Sequence, residues 1–537
     1  MGESKVPEAS HAGLGGHFRL VTFATSISRI TGFVRDQLNA ALFGASWMSD
    51  AYFMAIRIPS LLRDLFAEGA LSNAFIPALT SRLGDRQDAW KLASQVFTLL
   101  LLVTGGLSAL GILFAPQVVW VIAHGFIQTP DKFALTVELT RFLFPVLAFV
   151  SLAALWMGTL NSLHKFSWPA FAPVFMNLIQ IIAGVLLLKV FKAETPLDEI
   201  RNIQLWTLSM TLGMLLQWLV QVPAARREGA QFRLTWPPNH KGVGEMLRLM
   251  GPAVVSSSVL QVNILVNQFF ASFLATGYVT YLYYGQRLFQ LPYGIFGVSI
   301  ATVVFPLLSR LSSEGKDADF AETLSKALSA GLFVMVPCTI GIWITAKAAC
   351  LLAFQHGRFT MEASQAAAEA TAIYSLGLIG STGVKILLPA FYARGDSKIP
   401  LVSSCWAMGV NAALNLAGFV LLENSHYRFW GLAFASVMGS LVNLVWLLTH
   451  LKRVKVSLHW VFLGGECLKI SLASTLMGLM ALAISGYLNV HPIFLPRLTN
   501  FLCPVLAGGL IYYLLARWMK MKGLEWVMGR RRVEPGK

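Results

Sequence analysis

The chain has 537 residues, of which 56% are hydrophobic and only 13% are charged, and its formal net charge is +16. Soluble domains carry about 25% charged residues, so this composition excludes an ordinary soluble protein. Apolar runs of about 20 residues, long enough to cross the hydrocarbon core of a bilayer, recur along the chain. The sequence therefore predicts an all-α polytopic membrane protein. The net charge does not indicate nucleic-acid binding, because no basic run is embedded in a soluble fold.

Fourteen transmembrane helices are predicted, and an even number places both termini on the same side of the membrane. In chain order they cover residues 17–44, 47–79, 89–114, 134–160, 167–191, 201–226, 245–272, 279–312, 320–346, 363–391, 398–422, 429–451, 465–487 and 496–520. Lys and Arg concentrate in the even-numbered connections and at the C-terminus, as in "AARREGAQFR" (224–233) and "GRRR" (529–532). Since positive residues stay on the cytoplasmic side, both termini are predicted to be cytoplasmic.

Two pairs of similar segments indicate an internal repeat. "AFIPALTSRL" (74–83) resembles "VVFPLLSRL" (303–311), and "NSLHKFSWPAF" (161–171) resembles "YARGDSKIPLV" (392–402). Both pairs are separated by about 230 residues, which corresponds to six spans. This pattern predicts two six-helix lobes in a parallel pseudo-repeat, an arrangement found in transporters, and it leaves two extra C-terminal helices outside the repeat.

The predicted organisation begins with a polar N-terminal tail that has no signal-peptide pattern. In full, it consists of a cytoplasmic tail (1–16), an N-lobe (17–226), a cytoplasmic linker (227–244), a C-lobe (245–451), a segment with spans 13 and 14 (452–520) and a basic cytoplasmic tail (521–537).

Cations inside the predicted spans are the strongest functional signal, because each costs about 3 kcal/mol at the bilayer centre. They are Arg29, Arg35, Arg57, Arg63, Arg141, Arg287, Lys385 and Lys469. Gly32 lies between the first two and Pro59 between the next two. A helix interrupted at these positions would turn both members of a pair toward one cavity, although Gly and Pro are also common in membrane helices without such a role.

Two interpretations of these arginines remain open. Spans 1 and 2 contain four acids that would neutralise them internally: Asp36, Asp50, Asp64 and Glu68. Span 8 contains no Asp or Glu, so no acid of its own span would neutralise Arg287. Guanidinium groups from both lobes would then bind an anion, since Arg grips phosphate with two hydrogen bonds. A cation exporter would instead need a membrane-embedded acid free of Arg partners, and the interiors of spans 7 and 8 offer none.

No enzyme, cofactor or metal site is predicted. The sequence shows neither a nucleophile–base pair nor a phosphate-binding loop. The five cysteines have no CxxC spacing, so they support neither a disulfide framework nor a zinc site.

The chain resembles the MurJ/MviN family of lipid II flippases, within the multidrug/oligosaccharidyl-lipid/polysaccharide exporter superfamily. The most specific match is residues 28–79, which contain "SRITGFVRDQ", "ALFGASWMSDAYF" and "PSLLRDLFAEGA". Further matches are "YLYYGQRLFQLPYGIFGVSIATVVFPLLS" (281–309), "AFQHGRFT" (353–360) and "FYARGDSKIP" (391–400).

The resemblance implies movement of lipid II, the undecaprenyl-pyrophosphate-linked disaccharide-pentapeptide, to the outer leaflet of the bacterial inner membrane by alternating access. It implies that substrate-binding arginines correspond to Arg29, Arg35, Arg63 and Arg287, with supporting charges at Asp36, Asp50 and Arg57. It further implies that spans 13 and 14 form a groove for the lipid tail. The expected partners are lipid II and membrane lipids, and a monomer is expected.

Two departures from the family pattern argue against sodium coupling. Members often have an acid in helix 7, where this chain has Asn263 and Asn267, and many have acids around the helix-8 arginine, where it has Gln286 and Gln290. The alternatives to a lipid II flippase are a flippase for another polyprenyl-pyrophosphate glycan, a drug or cation antiporter, and a structural scaffold for cell-wall enzymes.

Overall fold

The computed structural model describes residues 11–66, 70–422, 425–490 and 496–527, and every regular element in these ranges is helical. The α-helices in chain order are α1 (His11–Phe43), α2 (Trp47–Phe66), α3 (Ala70–Thr80), α4 (Arg86–Leu113), α5 (Ala115–Ile122), α6 (Pro130–Leu143), α7 (Pro145–Ser162), α8 (Ser167–Lys189), α9 (Pro196–Leu219), α10 (Gln221–Arg227), α11 (Lys241–Ala271), α12 (Tyr278–Pro292), α13 (Val298–Ser313), α14 (Asp317–Phe354), α15 (Met361–Ala393), α16 (Lys398–Leu421), α17 (Ser425–His450), α18 (Trp460–Val490), α19 (Pro496–Trp518) and α20 (Lys522–Val527).

Eleven helical stretches within these ranges are long and apolar enough to cross a membrane. They coincide with predicted spans 3 to 6 and 8 to 14, so the all-helical membrane architecture is confirmed. At the positions of the remaining spans 1, 2 and 7, the structure has α1, α2 with α3, and α11. Much of each predicted tail, residues 1–10 and 528–537, lies outside the described residues.

The chain divides into two compact units. Unit 1 comprises Met1–Gln261 together with His356–Arg358, and unit 2 comprises Val262–Gln355 and Phe359–Lys537. The division falls inside α11, whereas the predicted lobes meet at the linker 227–244. The lobe ranges therefore stay a prediction.

The connection from α10 to α11 is an ordered part of unit 1. The backbone N–H of His240 donates to Gln95 Oε1 at 2.8 Å, and Gln95 Nε2 donates to Asn239 Oδ1 at 3.0 Å. The His240 ring lies 2.9 Å from Asp88, and the Phe232 ring packs among the aromatic side chains of the unit 1 core. These bonds attach the connection to α4. The connection therefore belongs to unit 1, and the boundary between the units comes later in the chain, inside α11.

Four helix pairs of unit 1 recur in unit 2. In unit 1, α8 packs on α9, α2 on α6, α4 on α7, and α7 on α9. In unit 2, α16 packs on α17, α12 on α15, α14 on α15, and α15 on α17. Counted by predicted span, the second set is the first set moved forward by six spans.

A pair of glutamates marks equivalent positions in the two units. Glu138 of α6 accepts a hydrogen bond from Gln204 of α9 at 2.8 Å, and Glu369 of α15 accepts one from Trp430 of α17 at 3.1 Å. α6 begins at Pro130 and α15 at Met361, so each glutamate lies about two turns into its helix. Both bonds join the fourth helix of a set to the sixth.

Residues 356–358 form a short segment that packs on the end of α1 within unit 1. The backbone N–H of Arg358 donates to the Ala41 carbonyl at 2.9 Å, and the Arg358 guanidinium lies 2.7 Å from Glu199. Gly44 and Gly357 have φ angles of +58° and +56°. A Cβ on Gly357 would overlap the Ala41 carbonyl oxygen, so this joint requires glycine both for its backbone conformation and for space.

We expect Gly357→Ala to lower the stability of the purified protein markedly, as measured by its thermal unfolding in detergent. The control is Gly395→Ala, because Gly395 has a φ of +73° and a Cβ there meets nothing within 4 Å. The left-handed conformation alone costs about 1–2 kcal/mol, and Gly357→Ala should cost more by the amount of the overlap. Equal losses in the two variants would contradict the close packing of this segment.

Candidate functional site

α1 carries the first two predicted site arginines and is continuous through Gly32, so of the two readings of this glycine the structure favours the one without an interruption. Gly32 lies against α8, where a Cβ would meet the Asn177 side chain at 3.6 Å, an ordinary van der Waals contact. In an unbroken helix, residues six apart point about 120° from each other. Arg29 accordingly is exposed, whereas Arg35 faces α8.

Arg35 is held by an acid and an amide. Its guanidinium lies 2.8 Å from Asp36 and donates to Asn177 Oδ1 at 3.2 Å. Asn177 in turn donates to the Ser28 carbonyl and to Thr31 Oγ1, both at 3.1 Å. The internal neutralisation weighed above therefore exists for Arg35, whose side chain is 14% exposed.

Arg29 differs from Arg35 in its surroundings. It is exposed, and it has neither an ion pair nor a hydrogen bond with any residue that the structure describes. Its guanidinium is consequently available to an anion.

α2 carries Arg57 and Arg63, both half-buried, and it continues through Pro59 to Phe66. The helix is therefore not interrupted at Pro59 either. The Asp64 side chain and Glu68, two of the acids considered as internal partners, lie outside the described residues.

Asp50 forms a buried ion pair with a lysine that sequence analysis missed. The Lys132 ammonium lies 2.8 Å from Asp50 Oδ2, and the two side chains are 4% and 0% exposed. The same ammonium sits 4.1 Å from the centre of the Phe126 ring, a cation–π contact. This pair attaches α2 to α6 inside unit 1.

Arg287 is the predicted site arginine of unit 2. It is half-buried on α12, donates to Gln290 Oε1 at 3.4 Å and lies 5.9 Å from the centre of the Tyr283 ring. Directly after Pro292, the helix changes to a π-helical turn over Tyr293–Gly297. π-Turns are rare and frequent at functional sites, and sequence analysis did not predict this one.

Four asparagines form a hydrogen-bonded ladder in unit 2, which we call the asparagine ladder. Asn411 donates to Asn263 at 2.7 Å, and Asn415 donates to Asn267 at 2.8 Å and to Asn411 at 2.9 Å. Asn267 also donates to Ser436 at 3.3 Å. The ladder joins α11, α16 and α17 through neutral groups, at the positions where sequence analysis noted the missing helix-7 acids.

Unit 2 also encloses an apolar cavity of about 300 Å³. Its walls come from α14, α15, α17 and α18, and include Leu328, Met335, Ile386, Leu444 and Leu463. α18 corresponds to predicted span 13.

No group of three or more His, Cys, Asp or Glu side chains suited to a metal ion occurs in the ranges that the structure covers. Of the predicted site residues, the structure places Arg29, Arg35, Asp36, Asp50, Arg57 and Arg63 in unit 1 and Arg287 in unit 2.

The comparisons with known proteins agree on one family. The family model described as "Lipid II flippase MurJ" matches residues 39–500. A Vibrio cholerae protein described as "Probable lipid II flippase MurJ" is 35% identical over 434 residues, covering 79% of this chain and 80% of its own length.

Solved structures extend the likeness to the fold. One described as "Lipid II flippase MurJ, inward closed conformation" has a TM-score of 0.76 and 27% identity, covering 95% of this chain and 100% of its own. A multidrug resistance MATE family transporter of the MOP superfamily has a TM-score of 0.64 at 13% identity, covering 80% of this chain and 95% of its own, and shows a shared fold alone. On the family match, which spans most of the sequence, the chain belongs to the MurJ family of lipid II flippases.

Proposed function

We propose that this protein moves lipid II from the cytoplasmic to the periplasmic leaflet of the bacterial inner membrane, as a transporter and not an enzyme. Membership of the family supports the assignment of lipid II as the substrate. The observation that carries the mechanism is Arg29, an exposed guanidinium near the middle of α1, the position of predicted span 1, which has no ionic partner among the described residues. The pyrophosphate of lipid II supplies the anion that such a group needs.

The proposed substrate-binding set is Arg29, Arg35, Arg63 and Arg287, and the proposed cycle is alternating access of two lobes. Three observations support two parallel six-helix lobes: the matching helix pairs, the equivalent positions of Glu138 and Glu369, and the repeated Pro-containing segments. With α1, α2–α3 and α11 counted as spans, the total is fourteen, and the charge distribution then places both termini in the cytoplasm.

The proposed lobes are residues 17–226 and 245–451, with a linker at 227–244. Residues 452–520 are proposed to form the groove for the isoprenoid tail, and the apolar cavity beside α18 supports this assignment because it offers a hydrocarbon chain a surface without charged groups. The pyrophosphate would stay with the arginines while the tail stays in lipid.

Asp36, Asp50 and Arg57 are proposed as supporting charges. Asp36 orients Arg35 directly through the 2.8 Å ion pair. Asp50 supports the site through structure, because its pair with Lys132 holds the arginine-bearing α2 against α6. Arg57 lies on α2, seven residues after Asp50 and two residues before Pro59.

The second candidate is a cation or drug antiporter, and the observation that favours it is the pair Glu138 and Glu369. Both are half-buried acids in membrane helices, and both accept hydrogen bonds from neutral donors. A flippase for another polyprenyl-pyrophosphate glycan shares the arginine chemistry, and only the family match separates it from the lipid II flippase.

Arg287→Ala is expected to abolish or strongly reduce lipid II exposure in the outer leaflet of cells in which this protein is the only flippase. A charged hydrogen bond contributes about 1.5–3 kcal/mol, so binding should weaken by roughly 10- to 100-fold. The control at matched membrane abundance is Lys385→Ala, another in-span cation of unit 2, which is exposed and outside the proposed site. A normal amount of lipid II in the outer leaflet of Arg287→Ala cells would show that α12 does not contribute to the substrate-binding site.

Lys132→Met is expected to destabilise the protein by about 3–5 kcal/mol, because it leaves the Asp50 carboxylate buried without its cation. The double variant Asp50→Asn, Lys132→Met should recover most of this loss in thermal unfolding, and it should keep lipid II transport. A folded double variant without transport would show that Asp50 acts on the substrate itself.

Transport is expected to be independent of a coupling cation bound by acids. Replacing sodium by potassium in the medium should leave lipid II exposure unchanged, since the asparagine ladder carries no charge. The variant Glu138→Gln, Glu369→Gln should also keep exposure, because glutamine still accepts the two hydrogen bonds. Loss of transport in either experiment at normal abundance would favour the antiporter chemistry.

A further inference from the structure

Unit 2 contains a second cavity that the proposed function does not use. It has a volume of about 1070 Å³ and is lined from α13, α14, the start of α18, and α20. The residues that line it are Val303, Leu307, Glu322, Ser325, Lys326, Ser329, His459, Phe462, Lys522, Glu525 and Trp526. We call it the α20 cavity.

The walls of the α20 cavity change from apolar to charged. Val303 and Leu307 are 57% and 41% exposed, and with Phe462 they give one side a hydrocarbon surface. The charged residues of the lining, which we call the rim, form two lysine–glutamate pairs: Lys326 with Glu322 at 2.6 Å, and Lys522 with Glu525 at 3.6 Å. Trp526 also lines the cavity, and its amphipathic aromatic ring is of the kind that favours the membrane–water boundary.

A buried hydroxyl in the cavity wall is unsatisfied. Ser329 is 1% exposed, and its Oγ has no hydrogen-bond partner in the described parts of the chain. One turn earlier on α14, Ser325 donates to the Ala321 carbonyl and accepts from the backbone N–H of His459 at 3.1 Å. A buried polar atom without a partner costs about 1–3 kcal/mol, which a bound molecule with a polar atom at this depth would offset.

The rim favours a headgroup that carries both charges. Its two lysines and two glutamates balance, so a purely anionic group would meet two carboxylates as well as two ammonium groups. A phosphate bound to the lysines together with a primary ammonium bound to the glutamates satisfies all four. A quaternary ammonium has no N–H to donate, so it would satisfy the carboxylates less well.

We propose that the α20 cavity binds one glycerophospholipid with a phosphoethanolamine headgroup, whose acyl chains lie along Val303, Leu307 and Phe462 and whose polar linkage reaches Ser329. The cavity is slightly larger than typical small-molecule sites, which are about 300–1,000 Å³, and it accommodates the headgroup and glycerol with the first part of the chains. The site is separate from the arginines proposed to hold pyrophosphate.

The experiment is native mass spectrometry of the full-length protein after delipidation and exposure to vesicles of phosphatidylethanolamine, phosphatidylglycerol or phosphatidylcholine. We expect one retained phosphatidylethanolamine, and less retention of the other two lipids. Ser329→Leu, which fills the cavity, should lose the retained lipid. The variant Lys522→Gln, Glu525→Gln should lose the preference between headgroups.

Two controls make the outcome decisive. Lys452→Gln changes a lysine of a neighbouring connection that does not line the α20 cavity, and it should retain the lipid. Arg287→Ala should also retain it, so failure of the proposed transport mechanism is distinguishable from failure of this site. Equal retention of all three lipids, unchanged retention in Ser329→Leu, or displacement by undecaprenyl phosphate would each overturn the proposal.

Discussion

The cost of placing charge in hydrocarbon governs this structure. At about 3 kcal/mol for each charged side chain at the bilayer centre, a chain with so many in-span cations needs local compensation. Arg35 obtains it from Asp36 and Asn177, and Lys132 from Asp50. Arg29 stands apart, exposed and without an ionic partner in the described ranges. Arg35 therefore meets an anion with its charge already partly compensated by the protein, whereas the Arg29 guanidinium is uncompensated.

Polar contacts between helices also define each unit. Neutral and ionic bonds join α1 to α8, α2 to α6, and α6 to α9 in unit 1, while the asparagine ladder joins α11 to α16 and α17 in unit 2. Hydrophobic burial alone does not hold helices together in lipid, because lipid tails are as apolar as leucine. Small residues and directional bonds therefore help to determine which helices become neighbours in each unit.

Hydropathy and charge were sufficient to predict the helices, because a membrane span must be long, apolar and internally hydrogen-bonded. Hydropathy and charge do not predict local irregularities of a helix. They left open whether Gly32 and Pro59 interrupt their helices, which both continue, and the π-turn over Tyr293–Gly297 follows a proline that carried no distinct signal. The partners of the site residues were also missed. Lys132 and Asn177 are 82 and 142 positions from the residues they bind, and such pairings follow only from tertiary packing.

The asparagine ladder has an electrical consequence. Moving one elementary charge through a potential of 100 mV involves about 2.3 kcal/mol of work. Amide groups carry no net charge, so α11, α16 and α17 can be displaced along the membrane normal at the ladder without work against the membrane potential. The membrane potential therefore acts on charged groups such as the arginines and not on the asparagine ladder. The strength of the ladder is thus the same in energised and de-energised cells.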